Sequence, residues 1–180
     1  MTAVVVRCLR TRELTAAHVA SARALMEAAF DGDFSDDDWA HACGGWHAML
    51  EEDGAVIAHA SVVARTITVG GRDVHAGYVE AVAVTPARQR RGLGSAVMQA
   101  LHAVIHGEFE AGVLSTGEWP FYESLGWARW QGPSFVREAS GTLARTADDD
   151  DGLMVLDGWA GDPMDRTAPI VCEARAGDAW

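Results

Sequence analysis

The chain has 180 residues, 49% of them hydrophobic and 22% charged, a composition that can bury one real core and form one globular domain over residues 1–180. Its 14 basic residues are all arginine and stand against 26 acidic ones; the net charge of -12 disfavours a nucleic-acid backbone or an anionic membrane and favours a small cationic partner. Cys8, Cys43 and Cys172 lack the paired spacing of zinc or redox sites, and no segment approaches the roughly 20 apolar residues that span a bilayer. The reading is therefore a soluble protein of the reducing cytoplasm with three free thiols.

In chain order, residues 4–9 are β-branched and predict a strand. Thr15 is then placed to cap a helix carrying Val19, Ala22, Met26 and Ala29 at helical spacing. The acidic run 31–38 interrupts that pattern and predicts a loop or a helix start. Strand formers dominate residues 46–84, with breaks at 51–54 and 69–73 that read as hairpin turns. Leu93, Val97, Leu101, Val104 and Ile105 form the clearest amphipathic helix, ending at Gly107. A brief strand at 112–114 follows, then a short helix at 119–125 with Pro120 in its first turn, then a stop at Gly126-Trp127. Turn signals at 148–152 and at Asp157-Gly158 frame two further strands at 153–156 and 170–174. With no repeat and no linker, the fold class is α/β with a mixed central sheet.

The segment 78–97 runs from a strand through a basic, glycine-containing loop into that amphipathic helix. Unpaired amides at a helix start, backed by the helix dipole, can solvate a pyrophosphate, and glycine lets the backbone approach its oxygens. Arg88, Arg90 and Arg91 concentrate positive charge there. The pattern lacks the Lys-Ser/Thr of a P-loop and the three spaced glycines of a dinucleotide fingerprint, which leaves coenzyme A, although Gly92 and Gly94 would serve equally in a plain tight turn.

Gln89-Arg90-Arg91-Gly92-Leu93-Gly94 resembles the acetyl-CoA loop of the GNAT acetyltransferases, Gln/Arg-x-x-Gly-x-Gly/Ala. A longer series is similar to the aminoglycoside 2'-N-acetyltransferases, in order from about residue 29 to residue 180. It comprises Gly32-Asp33-Phe34, Asp38-Trp39, Gly44-Gly45, His47-Ala48, Gly77-Tyr78-Val79-Glu80, Gly126-Trp127, Asp149-Asp150-Asp151-Gly152 and Arg175-Ala-Gly-Asp-Ala-Trp180. The resemblance implies a single GNAT domain, a mixed sheet flanked by helices, acetyl-CoA as cofactor and a cationic aminoglycoside as acceptor; it admits a homodimer. It places the pantetheine on the amides of Val82, Ala83 and Val84, and the pyrophosphate on Gln89, Arg90, Arg91, Gly92, Leu93, Gly94 and Ser95. It makes Glu80 the carboxylate that relays the amine proton through water, and Tyr122 the group that returns a proton to sulfur. Trp180 joins them through its terminal carboxylate, and Asp33, Asp38, Glu80, Ser115, Asp150 and Asp178 line the substrate side.

Without the resemblance these residues read more plainly. Glu80 between Val79 and Ala81 is either a buried, perturbed carboxylate or an outward-facing one, Tyr122 a core or rim aromatic, and the aspartate runs solvated turns. His102 and His106 lie one helical turn apart without a third ligand and read as surface residues, so no metal is expected, and Ser115 has no nucleophile-elbow setting. The chain departs from the family in a shorter connection at 116–121 and in Trp46, where methionine is common. Kasugamycin, another amine such as a polyamine, and a non-catalytic binding role are the alternatives.

Overall fold

The computed structural model describes residues 5–157 and 163–180. Its elements run β1 (Val6–Arg10), α1 (Ala16–Ala29), α2 (Asp36–Ala42), β2 (Trp46–Glu52), β3 (Ala55–Val69), β4 (Arg72–Val84), α3 (Leu93–Glu108), β5 (Ala111–Ser115), α4 (Trp119–Glu123), β6 (Ala128–Arg129), β7 (Ser134–Arg137), β8 (Leu143–Arg145), β9 (Leu153–Leu156) and β10 (Ile170–Glu173). They form two compact units, one of Met1–Val63 with Val79–Val104 and one of Ala64–Tyr78 with Ile105–Trp180. Val4 of the expected first strand and Gly158 of the expected late turn lie outside the described residues. Among the described residues no helix is long and apolar enough to cross a membrane.

In the first unit β1 pairs antiparallel with β2, and β2 with β3. The hairpin turns on Asp53 and Gly54, with φ of 52° and 80°, the two successive left-handed residues of a type I′ turn. A one-residue bulge between Leu50 and Glu51 shifts the register, so that Met49 faces His59 and His47 faces Ser61. Thr15 caps α1 by accepting from His18 N–H, and Leu25 and Met26 pack with Met49, Val56 and Ala83 into the core. The acidic run resolves into a bend followed by α2: Ser35 is its N-cap, and Asp36, Asp37 and Asp38 sit in the first turn, where the dipole favours them. Gly45 lies so close to β3 that a Cβ there would stand 1.9 Å from Val62 O. A backbone atom cannot step aside, so Gly45→Ala should cost about 3 kcal/mol or more and lower Tm by about 10 °C in a thermal melt.

In the second unit the strand order is β6-β9-β5-β4-β3-β10-β7-β8. β5 runs parallel to β4 and β7 parallel to β10, while β9 lies antiparallel to β5 and β10 antiparallel to β3, so the sheet is mixed as expected. Gly70 and Gly71, both at positive φ, make the β3–β4 turn. The core holds Ile67, Tyr78, Leu114, Leu153, Met154 and Ile170, all fully buried. β9 and β10 are the two late strands expected. β6, β7 and β8 were not; each has two to four residues beside Gly132, Pro133 or Gly141, too short to carry a periodicity.

Candidate active site

β4 delivers Glu80 and residues 82–84, and its backbone is irregular where they begin. Ala81 has φ +50°, a left-handed conformation that costs a non-glycine residue about 1 kcal/mol or more, so surrounding contacts must hold it. Two buried side chains of β3 do so: His59 Nδ1–H donates to Ala81 O at 2.7 Å and Ser61 Oγ–H to Glu80 O at 3.1 Å. Glu80 itself is half-buried.

Past Val84 the chain makes a short 3₁₀ turn at Pro86–Arg88 and enters the loop, with Gln89 Nε2–H reaching Val84 O at 3.4 Å. Arg90 and Gly92 both take positive φ, +60° and +79°. The first bond of α3 runs from Ala96 N–H to Gly92 O at 3.0 Å, so the amides of Leu93, Gly94 and Ser95 precede the helical ladder and are available to a ligand. Arg88 is engaged by Glu52, whereas Arg90 and Arg91 are exposed. Of the acids expected in this unit, Asp33 is exposed just after α1. Asp38 closes the α2 capping box, accepting from Ser35 N–H and Oγ–H at 2.7 Å, both at Oδ2.

In the second unit Ser115 ends β5 directly against the acidic turn: Thr116 N–H donates to Gly152 O at 2.8 Å, and a Cβ on Gly152 would come within 2.8 Å of Ser115 Oγ. Asp150 accepts from Ser134 N–H, Ser134 Oγ–H and both terminal nitrogens of Arg145, and these donors, Arg145 first, hold its carboxyl down at about 2. Its charge is largely spent inside the fold. Asp149 is in the opposite state, since burial and then the carboxylates of Asp178 and Asp148 push its pKa up. Trp180 is buried, its indole N–H donating to Thr146 Oγ1 at 3.1 Å, and Thr146 Oγ1 also meets Ser134 Oγ at 2.8 Å. Ala179 O accepts from Arg65 at 2.7 Å, and Arg65 also reaches Glu173 O at 3.1 Å while stacking over the Tyr78 ring. Tyr122, on α4, is buried edge-on to Phe121 and Trp127; burial first, then Glu118, pushes its phenol up, so Oη keeps its proton across the physiological range.

In the first unit a strand, an arginine and glycine loop and a helix start with unladdered amides could cradle an anion. The second unit by itself carries the acidic turn of Asp148, Asp149 and Asp150 with Asp178 near Asp149. A model of the acetyltransferase (GNAT) domain family matches residues 10–130. An aminoglycoside 2'-N-acetyltransferase of Mycolicibacterium fortuitum is 43% identical over 178 residues, covering 97% of this chain and 91% of that protein. The chain belongs to the aminoglycoside 2'-N-acetyltransferase family of the GNAT acetyltransferases. The fold is shared with a GNAT family acetyltransferase of Brucella melitensis solved in complex with acetyl-CoA, at TM-score 0.61 and 19% identity over 96% of this chain and 97% of that one. It is shared also with a probable N-acyltransferase of Enterococcus faecalis, at TM-score 0.60 and 15% identity, where the match covers 73% of this chain and 34% of the other.

Acetyl-CoA is the cofactor of this acetyltransferase, and the cradle suits its charge: two exposed arginines and a run of amides ahead of the first helical bond lie where a polyanion would sit in an otherwise acidic protein. Losing both charges in Arg90→Ala/Arg91→Ala should weaken acetyl-CoA binding about tenfold and flatten its salt dependence, as read by calorimetric titration at two ionic strengths. Sequence reasoning singled out Asp150 and passed over its neighbour Asp149; only the contacts of Ser134 and Arg145 distinguish the two. It gave no role to His47, quoted only within the family series, or to His59, and their burial depends on a register that composition does not reveal.

Proposed function

We propose that this GNAT acetyltransferase, acting as one domain over residues 1–180, transfers an acetyl group to the 2'-amino group of an aminoglycoside by direct attack in a ternary complex in the cytoplasm, and so confers resistance. The 43% identity to the Mycolicibacterium fortuitum enzyme over nearly the whole chain carries this reading. The acid surplus supports it, because among the described residues the ion pairs give Asp150 a cationic partner in Arg145 and give Asp149 none, and Asp149 is pushed up by burial and by the carboxylates of Asp178 and Asp148, a crowding that an ammonium would relieve. Three free cysteines suit a reducing compartment.

The cofactor supplies an acetyl group activated as a thioester. The chain does the rest. In this reading the amides of residues 82–84 orient the acyl arm, and the loop from Gln89 to Ser95 holds the pyrophosphate. Glu80 accepts, through water, the proton that the acceptor ammonium must lose, since an amine is nucleophilic only when neutral. Tyr122 keeps at Oη the proton that the leaving sulfur needs. Asp33, Asp38, Asp149 and Asp178 grip the other ammonium groups, with Ser115 and Trp180 beside them, while Asp150 sets the acidic turn in place against Ser134 and Arg145.

The test is incubation of the pure protein with acetyl-CoA and a panel containing 2'-amino aminoglycosides, kasugamycin and polyamines. Thiol release is followed, and the acetyl position is located by NMR. Transfer to a 2'-amino group is expected. Transfer only to another amine would overturn the substrate assignment, and binding of aminoglycosides without any turnover would make the chain a sequestering protein.

A further inference from the structure

The left-handed turn at Ala81 is served by a buried chain of side chains in the first unit. His59 Nδ1 lies 2.7 Å from Ala81 O, so that nitrogen must carry the hydrogen. Its Nε2 is then a lone pair, and it meets His47 Nδ1 at 3.0 Å, which therefore donates. His47 Nε2 is a lone pair in turn, 2.8 Å from Thr11 Oγ1, and Thr11 must donate to it, although Gly45 O stands at 3.3 Å as the weaker option. Thr11 Oγ1 accepts from Gly44 N–H at 2.8 Å, and Thr11 lines an open cleft with Arg10, Arg12, Gly44 and Gly45. Every donor points toward Ala81. Both imidazoles are fully buried, with the Trp39 ring 6.0 and 6.2 Å from them.

A chain of imidazoles suggests proton transport, but this one ends on an amide carbonyl, which has no proton to pass onward. A brace is what its geometry can be. At the same place Ser61 holds the Glu80 carbonyl, so two consecutive carbonyls of β4 are bound by side chains of β3. We propose that His59 is a positioning residue for acetyl transfer: its Nδ1–H holds the left-handed turn at Ala81 that joins Glu80 to residues 82–84, and His47 with Thr11 fixes the tautomer that lets it do so. The proposal rests on the reading of Glu80 and residues 82–84 as the reacting segment.

Long-range proton–nitrogen correlations of the labelled, cofactor-free protein should show His59 and His47 neutral with hydrogen on Nδ1, and the Ala81 carbon shifts should be those of a left-handed residue. In His59→Leu the Ala81 shifts should move to extended values and kcat should fall about 100-fold, with the dissociation constant of acetyl-CoA within about threefold. In His59→Asn, whose amide nitrogen overlays Nδ1, kcat should return to within about tenfold of the parent. Hydrogen on Nε2 of His59 in the parent protein overturns the proposal, as do unchanged Ala81 shifts in a folded His59→Leu. If the leucine variant does not fold, the parent tautomer and the asparagine variant decide. The spectroscopic readouts need no substrate, so a failure of aminoglycoside turnover counts against the proposed function and leaves the brace to be judged alone.

Discussion

Replacing Glu80 by glutamine should lower kcat at pH 7 by about 100-fold or more, while the dissociation constant for acetyl-CoA stays within about twofold of the parent value. Glutamine keeps the shape and removes only the ability to take a proton. The acceptor reaches the enzyme mainly as an ammonium ion, so in the proposed mechanism the loss falls on the proton-transfer step and spares cofactor binding, assigned there to the loop from Gln89 to Ser95. A pH series sharpens the expectation. As pH rises, more of the acceptor is neutral before it binds, so the deficit of the glutamine enzyme should shrink toward alkaline pH. The Arg90→Ala/Arg91→Ala enzyme should behave in the opposite sense, losing affinity with little change in kcat at saturation. A glutamine enzyme with parental kcat at pH 7 would remove Glu80 from the chemistry.

The folded state should weaken as pH falls from 7 to 5, by about 2 kcal/mol for each of His47 and His59. Burial, and then the nearness of His59, holds His47 down at about 3; burial holds His59 at about 4, against 6.5 for an unconstrained imidazole. Both stay neutral in the folded chain where the unfolded chain has already bound protons. The unfolded state therefore gains more protons as pH drops below 6.5, and stability is lost progressively through that window toward the folded values. Asp150 acts elsewhere on the scale: its depressed carboxyl contributes stability above the ordinary aspartate value of 3.8, lost as pH falls from there toward about 2. Urea unfolding at pH 7 and pH 5 consequently separates the histidines from Asp150, and His59→Asn should halve their share of the difference. Equal stability at the two pH values would mean that the imidazoles are not held neutral.

Much of this arrangement was legible from the sequence because it rests on periodicity and punctuation. The helix of residues 93–105, the hairpin breaks, the mixed sheet and the glycine and arginine loop each leave a local signature, and each stands where expected. The histidine pair leaves none. Continued strictly from the turn at Asp53 and Gly54, the β2–β3 register would set His59 opposite Ala48 and on the face away from His47. The bulge between Leu50 and Glu51 moves His59 opposite Met49 and brings both imidazoles, with Ser61, to one side of the hairpin. A one-residue irregularity of that kind arises from tertiary packing and has no compositional mark. The adjacent aspartates teach the same lesson: in sequence Asp149 and Asp150 are equivalent, and the donors that separate them come from Ser134 and Arg145, 16 and 5 positions from the Asp150 carboxylate.

The clasp that Arg65 makes on the tail also orders events in time. Its partner at Ala179 lies 114 positions farther along the chain and its partner at Glu173 lies 108. Synthesis proceeds from the N-terminus at about 5–20 residues per second, so a nascent chain carries Arg65 for several seconds before anything exists for it to hold. The arginine and glycine loop, complete by Ser95, can take shape on the ribosome well before Asp178 and Trp180 are made, and a product truncated ahead of Asp178 would keep that loop while lacking one carboxylate of the acidic group.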